Sequence, residues 1–253
     1  MNYIKFLGTA GARFVMIKQI RCSAGLWLSA DNTNIIIDPG PGSLVRCLSS
    51  KPALQPPTLD GIILTHRHLD HANDVNIMIE AMTNGGYTPK GIVLAPQDAL
   101  ENDPVILHYL RSYVKHIQPI QPKQQYTIGS IHITAPIQHQ HGTETYGLNI
   151  KTSTKTLSLI TDTEYFQGLE NYYPGEILII NVVLHTKKQG IQHLCIDDIQ
   201  HIVTTNKPKL CVLTHFGMTM IKAKPWKIAE ELTKTTGVNV LAATDGMLLP
   251  LNK

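Results

Sequence analysis

The stretch Leu64-Thr65-His66-Arg67-His68-Leu69-Asp70-His71 follows a run of apolar residues and is the most informative segment of the chain. In an extended chain, His66 and His68 point to the same side, because successive side chains alternate between the two faces of a strand. Their imidazoles can therefore bind one cation. Where the chain turns into a helix, Asp70 and His71 point away from that pair and can bind a second cation close by. A carboxylate at Asp70 is also favourable at the start of a helix.

The spacing His-x-His-x-Asp-His is specific. With this composition, residue frequencies alone would produce it about once in a thousand sequences. Polar residues that only cap a helix do not need three histidines and an aspartate at these intervals. We therefore interpret the segment as the first part of a metal-binding site.

Composition limits the class of protein. The 253 residues are 43% hydrophobic and 16% charged, with a net charge of +3. These values allow a full hydrophobic core, exclude a disordered or coiled-coil chain, and give no general attraction to nucleic acid. The opening MNYIKFLGTAG does not look like a signal peptide, and no apolar run could span a bilayer, so we expect a cytoplasmic protein with no membrane partner. The four cysteines form no C-x-x-C pair, which predicts free thiols.

No repeat or low-complexity linker divides the chain, which predicts a single domain over residues 1–253. Strands are predicted at Tyr3–Leu7, Gly25–Ala30, Asn34–Asp38, Gly61–Thr65, Gly91–Ala95, Tyr126–Ile128, Ile131–Ala135, Tyr146–Lys151, Thr156–Thr161, Ile177–Val182, Leu210–Thr214 and Val238–Ala242. Helices are predicted after Pro41, after His71, and at Asp98–Val114, Ile196–Thr204 and Pro225–Thr235. Strands in both halves with helices between them indicate an α/β protein, best described as a four-layer αββα sandwich.

The His-x-His-x-Asp-His motif after a buried strand resembles the signature of the metallo-β-lactamase superfamily, and the resemblance covers nearly the whole chain. It implies further ligands at later strand ends. His141 resembles the third histidine of the first metal, and His139, two residues earlier, is the alternative. Asp162, in Thr161-Asp162-Thr163, resembles the carboxylate that bridges both metals. His215 resembles the remaining histidine of the second metal.

The resemblance implies two divalent metal ions per chain, and a histidine-rich set favours Zn²⁺ over Mn²⁺ or Fe²⁺. Ions of this kind lower the pKa of bound water to near neutrality, so that it becomes a nucleophile. Asp38, at the end of an isoleucine-rich strand, resembles the carboxylate that orients ligand histidines, although a plain turn is the alternative. Position 68 is a histidine, whereas the redox-active di-iron branch of the superfamily has a glutamate at this position, so the sequence differs from that branch. A ligand set without cysteine departs from the true β-lactamases.

Four other segments resemble the phosphodiesterase branch of the superfamily, which includes ribonuclease Z and small cyclic-phosphate diesterases: Phe6–Thr9, Ile37–Gly42, His141–Gly147 and Thr161–Thr163. His193 lies 22 residues before His215, ahead of a predicted helix. The resemblance implies that it reaches the active site and protonates the leaving oxygen, and a surface histidine is the alternative. The candidate catalytic residues are therefore Asp70 and His193.

These observations predict a metal-dependent hydrolase that cleaves phosphodiester bonds of a small or nucleotide-like substrate. Between His71 and His141, the chain has no long Gly/Pro-rich arm with basic residues that would clamp tRNA. Processing of tRNA 3′ ends is therefore a less favoured alternative. Hydrolysis of a lactone or thioester is another, because one fold supports several chemistries. The resemblance also makes a homodimer an expectation.

Overall fold

The computed structural model describes residues 2–23 and 25–251. In chain order, the strands are β1 (Tyr3–Phe6), β2 (Leu26–Ala30), β3 (Thr33–Ile37), β4 (Gly61–Ile63), β5 (Ile92–Ala95), β6 (His116–Pro119), β7 (Gln125–Ile128), β8 (Ile131–Thr134), β9 (Leu148–Lys151), β10 (Thr156–Ile160), β11 (Ile177–Asn181), β12 (Leu210–Thr214), β13 (Val240–Ala242) and β14 (Leu248–Pro250). The α-helices are α1 (Ala12–Ile17), α2 (Ser43–Ser49), α3 (Leu69–Ala72), α4 (Val75–Met82), α5 (Ile196–Asn206), α6 (Met218–Ala223) and α7 (Pro225–Thr236). Short 3₁₀ segments lie at Pro56–Thr58, Gln97–Ala99, His108–Tyr113 and Leu169–Tyr172.

The strands form two seven-stranded sheets. The first has the order β14-β1-β2-β3-β4-β5-β6 and the second has the order β13-β12-β11-β10-β9-β8-β7. In the first sheet, β3 to β6 are parallel, and in the second, β10 to β13 are parallel. The remaining pairs in both sheets are antiparallel.

Successive apolar side chains of the buried strands point to opposite faces of their sheet, and so pack in different layers. In β3, Ile35 and Ile37 lie in the cluster between the sheets, whereas Ile36 packs in an outer cluster with Met78 of α4. A third cluster packs β11 of the second sheet against Ile199 of α5 and against α7. Because each sheet is apolar on both faces, each is covered by the other sheet and by a helix layer. The predicted four-layer αββα sandwich is confirmed.

Several elements differ from the sequence prediction. The predicted helix Asp98–Val114 consists of two short 3₁₀ segments, because Pro104 cannot donate a backbone hydrogen bond and Asn102 and Asp103 adopt positive φ angles. Helix α1 and strand β6 were not predicted, since elements of six and four residues carry little periodicity. Among residues 2–23 and 25–251, no helix has the length and apolar character needed to cross a bilayer.

The four strands that matter for function end at the same edge of the sandwich. Asp38 follows β3, and His66 comes shortly after β4 in the first sheet. Asp162 follows β10, and His215 follows β12 in the second sheet. The facing ends of the two sheets therefore bring these four side chains together.

Candidate metal centre

Three histidines form one side of the centre, which we call the first ligand group: His66, His68 and His141. The His68 Nδ1 atom lies 3.1 Å from His141 Nε2, and the rings of His66 and His68 are 4.9 Å apart. Their ligand atoms all lie within 4.8 Å of one another. His66 is buried and lies three residues after β4, whereas His68 is the residue directly before α3. The predicted first set of ligand residues is thus brought together.

The second ligand group consists of Asp70, His71 and His215. The Nε2 atoms of His71 and His215 are 3.3 Å apart, and the Asp70 carboxylate lies 3.6 Å from His215 Nε2. His215 has a positive φ angle, and its backbone packs against Gly11. A Cβ atom at Gly11 would lie 2.0 Å from the His215 carbonyl oxygen, so only glycine permits this approach.

Asp162 lies between the two groups. Its Oδ2 atom is 3.8 Å from His66 Nε2, 3.9 Å from His141 Nε2 and 3.6 Å from His71 Nε2. Its Oδ1 atom is 3.4 Å from His215 Nε2. One carboxylate therefore faces histidines of both groups at the same time.

The donor atoms fit divalent cations. In a tetrahedral site with the usual Zn–N distance, two ligand nitrogens lie about 3.3 Å apart. The nitrogens of His68 and His141 are 3.1 Å apart and those of His71 and His215 are 3.3 Å apart, which is close to this value. The Nε2 atom of His66 is buried and has no hydrogen-bond partner, although buried polar atoms are normally paired. A cation in the first ligand group would satisfy it.

Asp38 fixes the orientation of two histidines. Its carboxylate lies 2.9 Å from His71 Nδ1 and accepts hydrogen bonds from the backbone and the hydroxyl of Thr65, both at 2.7 Å. The Thr65 hydroxyl is in turn 3.1 Å from His66 Nδ1. A proton held at Nδ1 by these acceptors leaves the Nε2 lone pairs directed into the centre. The same holds for His141, whose Nδ1 lies 3.1 Å from the Gln192 carbonyl oxygen.

Comparison with known proteins identifies the family. A family model described as a beta-lactamase superfamily domain matches residues 33–216. The chain belongs to the beta-lactamase superfamily. Uncharacterized protein MJ1374 of Methanocaldococcus jannaschii is 28% identical over 98% of the chain and 94% of its own length. The resemblance to this superfamily that the sequence predicted is therefore confirmed.

Solved structures share the fold of this superfamily member. The metallo-beta-lactamase fold protein YhfI from Bacillus subtilis has a TM-score of 0.79 at 17% identity and covers 98% of both chains. A diphosphatase from the PhnP family has a TM-score of 0.70 at 19% identity, with coverage of 98% of this chain and 97% of the other. The short form of human tRNase Z has a TM-score of 0.75 at 15% identity and covers both chains completely. The chain is a metallo-β-lactamase superfamily hydrolase.

The pKa values of the histidines differ between the first and the second ligand group. Burial lowers the pKa of His66, and the neighbouring His71 adds to this effect. Burial also lowers the pKa values of His68 and His141. Burial acts in the same direction on His71, but Asp38 and the other nearby carboxylates outweigh it and raise the pKa of His71 well above its usual value.

Burial disfavours the charged form of the Asp162 carboxylate. The surrounding histidines, led by His215, outweigh burial and hold the pKa of Asp162 well below its usual range. An ionised carboxylate at this position is what two neighbouring cations require. Asn181, at the end of β11, donates a hydrogen bond of 2.8 Å to Asp162 Oδ1.

His193 lies at the edge of the centre and not on the open surface. Its Nδ1 atom is 3.7 Å from Asp162 Oδ2, and its ring lies 5.1 Å from that of His141. Burial lowers its pKa, although Asp162 opposes this effect. His193 also borders a cleft of about 400 Å³ above the two ligand groups, whose far wall is helix α1.

His139 is separated from both ligand groups by its own partners. Its Nε2 atom lies 2.6 Å from the Tyr173 hydroxyl, and its Nδ1 atom lies 3.2 Å from the Asp162 carbonyl oxygen. Both ring nitrogens are therefore engaged, whereas the Nε2 of His141 faces His68. Burial lowers the pKa of His139 to about 4.

Sequence reasoning did not identify Asn181, Thr65 or Tyr173 as part of the site. The sequence does offer a signal for Asn181, which is a polar residue at the end of an apolar strand. In the sheet, this strand lies between two strands that carry ligand residues. Thr65 had a signal too, as a hydroxyl beside the first histidine of the motif. Tyr173 lies in the connection between β10 and β11, 34 residues after its partner His139, and had no such signal.

Proposed function

We propose that this superfamily hydrolase holds two divalent cations, Zn²⁺ being favoured, and cleaves phosphodiester bonds of a small or nucleotide-like substrate. The observation that carries the proposal is the position of Asp162. It lies within 3.9 Å of ligand nitrogens from both groups, which is the arrangement that a carboxylate shared by two cations needs. His66, His68 and His141 would hold one cation, and Asp70, His71 and His215 would hold the other.

Divalent cations supply a hydroxide nucleophile at neutral pH and stabilise charge on a phosphoryl group. The protein residues prepare for that chemistry. Asp38 and Thr65 keep the Nε2 lone pairs of His71 and His66 directed inward. Asn181 fixes the rotation of the Asp162 carboxylate through its hydrogen bond. Asp70 adds negative charge to the second group and would contribute to catalysis by helping to hold the cation of that group.

His193 is the residue that we assign to proton transfer. It borders the cleft, and its position beside Asp162 and His141 puts its ring next to the reacting centre. As a general acid it would protonate the leaving oxygen, a role that typically contributes 10²–10⁴-fold. The ligand atoms of His141, Asp162 and His193 also lie within 4.8 Å of one another, so metal ligation is the alternative role for His193, and metal analysis of His193→Ala distinguishes the two.

The lining of the cleft favours a small substrate over tRNA. The wall opposite His193 carries Met16, Ile17 and Leu69, and Arg13 is the one lysine or arginine among the described residues that line it. A surface that holds an RNA backbone needs several cations along its path. Two proteins of similar structure are a diphosphatase and a tRNase Z, and both names denote cleavage of phosphorus–oxygen bonds. This similarity supports the phosphodiesterase branch of the superfamily.

A substrate panel on metal-replete protein tests the proposal. Bis-nitrophenyl phosphate or a cyclic nucleotide should be hydrolysed, and nitrocefin should not. The Asp162→Ala variant is the matched control, because any contaminating hydrolase would survive in its preparation. Turnover of a lactone or thioester far above that of any diester would favour acyl hydrolysis. Cleavage of a tRNA precursor in preference to small diesters would favour tRNA processing.

The leaving group isolates the role of His193. Nitrophenolate leaves without a proton, whereas an alkoxide needs one, so His193→Ala should reduce cleavage of an alkyl diester more than that of a nitrophenyl diester. The metal content should stay unchanged. Equal losses for both substrates would leave only electrostatic stabilisation, and loss of a metal equivalent would make His193 a ligand.

A further inference from the structure

Lys5 is a buried lysine without an acidic partner. In β1, Ile4 and Phe6 face the core between the sheets, so Lys5 faces the helix layer, where only 4% of it is exposed. Its ammonium donates one hydrogen bond, 2.8 Å long, to the Lys51 carbonyl oxygen. Within residues 2–23 and 25–251, no carboxylate forms an ion pair with it. Buried ammonium groups are normally paired, because an unpaired charge is costly away from water.

Lys5 borders a cavity that two more cations share. The cavity measures about 280 Å³ and is also lined by Arg46, Lys51 and the serines at positions 49 and 50. None of the described lining residues is acidic. Arg46 and Lys51 are exposed and Lys5 is buried, and their positive charges repel one another, so negative charge that enters the cavity should stabilise this arrangement.

Two nearby features supply only part of that negative charge. The carbonyl end of α2 carries a partial negative charge of about half an elementary unit, which helps to hold Arg46 and Lys51. The neighbouring carboxylate of Asp245 accepts hydrogen bonds from the Thr9 hydroxyl at 2.7 Å and the Cys22 backbone at 2.8 Å. The Arg46 guanidinium contacts the Cys22 sulfur beside this carboxylate, so Asp245 compensates part of the charge of Arg46. Within residues 2–23 and 25–251, Lys5 and Lys51 form no ion pair with a carboxylate.

We infer that this cavity, bounded by β1 and the end of α2, is a binding site for a phosphate group, either inorganic phosphate or the phosphate of a small phosphorylated molecule. The ammonium of Lys5 retains two free N–H donors at the base of the cavity, and the guanidinium of Arg46 and the ammonium of Lys51 supply donors at its rim. None of the residues of the two ligand groups lines this cavity. The site is therefore separate from the metal centre, and it does not depend on the proposed function.

Calorimetric titration at fixed ionic strength tests this site. Inorganic phosphate and AMP are titrated into the protein as purified and after metal removal by chelation, because cations in the metal centre would bind phosphate as well. A component that survives chelation should be present, and Lys5→Met should weaken it about tenfold or more. Lys51→Ala should weaken it less. The matched control Lys222→Ala removes an exposed lysine away from the cavity and should leave it unchanged.

Relative affinities identify the ligand. Equal Lys5-dependent binding of both ligands assigns a bare phosphate site, and tighter binding of AMP assigns a phosphorylated molecule. Thermal unfolding provides a second readout, since phosphate should raise the Tm of the wild type more than that of Lys5→Met. The inference is overturned if the chelated protein binds neither ligand at millimolar concentration, or if Lys5→Met binds them as the wild type does.

Discussion

The first and second ligand groups lie on either side of one carboxylate but differ in charge. The first consists of His66, His68 and His141, whose pKa values are all lowered, with burial as the largest cause. The second contains the Asp70 carboxylate and His71, whose pKa is raised by Asp38 and its neighbours. Without metal, the first group is neutral and its nitrogens are free to bind a cation. The second must first release a proton from His71, so cation binding there is coupled to pH.

Removal of Asp162 breaks both groups at once and should have the largest effect. Asp162→Ala should lose at least one of two metal equivalents by elemental analysis. Activity should fall by about 10⁴-fold or more, because the ligand common to both cations disappears. Asp197→Ala removes an exposed carboxylate and serves as the matched control. Full metal content in Asp162→Ala would show that the two groups do not share this residue.

Single histidine variants separate the two groups. His68→Ala and His215→Ala should each lose one equivalent and about 10³-fold in kcat/KM, since each removes a ligand from one group only. The cation that remains in His215→Ala should persist to lower pH than the one that remains in His68→Ala. Circular dichroism should stay native, because the apolar sandwich does not depend on these side chains. Unfolding of either variant would instead indicate a structural metal.

The difference in charge should also appear in the stability of the metal-free protein. His139, which is buried outside both ligand groups, has a folded pKa of about 4 against about 6.5 unfolded, so the unfolded chain binds more protons between these values. Acidification from pH 6.5 to 4 should therefore cost about 3 kcal/mol of unfolding free energy. The raised pKa of His71 acts oppositely: its stabilisation is complete below about pH 6.5 and is lost as the pH rises through its folded value.

Urea denaturation across this pH range measures both effects. His139→Gln should flatten the acid side of the stability profile, and His71→Gln should flatten the alkaline side. An acid side unchanged by His139→Gln would mean that other groups take up the protons on unfolding.

The smallest effect is expected from the residues that orient the ligands. Asp38→Asn should weaken metal affinity about 10–100-fold, mainly in the second group, because it contacts His71 directly. Thr65→Val should affect mainly the first group, since its hydroxyl contacts His66 directly and reaches His71 only through Asp38. Asp60→Asn, at the opposite end of the same strands, is the matched control. Competition titration with a chelating dye measures each affinity, and equal effects of the two variants on both groups would refute this division.

Much of the site could be predicted because its ligands lie at strand ends. The motif from His66 to His71 is continuous in sequence, and Asp162 and His215 each close an apolar strand, so pattern and resemblance together located them. The four-layer fold followed from the number and apolar character of the strands. Asn181 and Tyr173 contact Asp162 and His139 only through tertiary packing, across 19 and 34 residues of sequence.

Short elements and charge clusters were not predictable from pattern. Helix α1 buries only Val15, so its six residues show no apolar periodicity, yet it forms a wall of the cleft. The environment of Lys5 depends on the packing of β1 against the end of α2, where its partner Lys51 lies 46 residues later in the chain. Such features depend on tertiary contacts and not on local sequence.

Anomalous diffraction at the zinc absorption edge, from crystals of metal-replete protein, tests most directly whether two cations share Asp162. Two peaks are predicted about 3.5–4 Å apart, both within about 2.2 Å of an Asp162 oxygen. One should lie among His66, His68 and His141, and the other among Asp70, His71 and His215. A single peak, or a second peak that does not contact Asp162, would contradict the dinuclear centre.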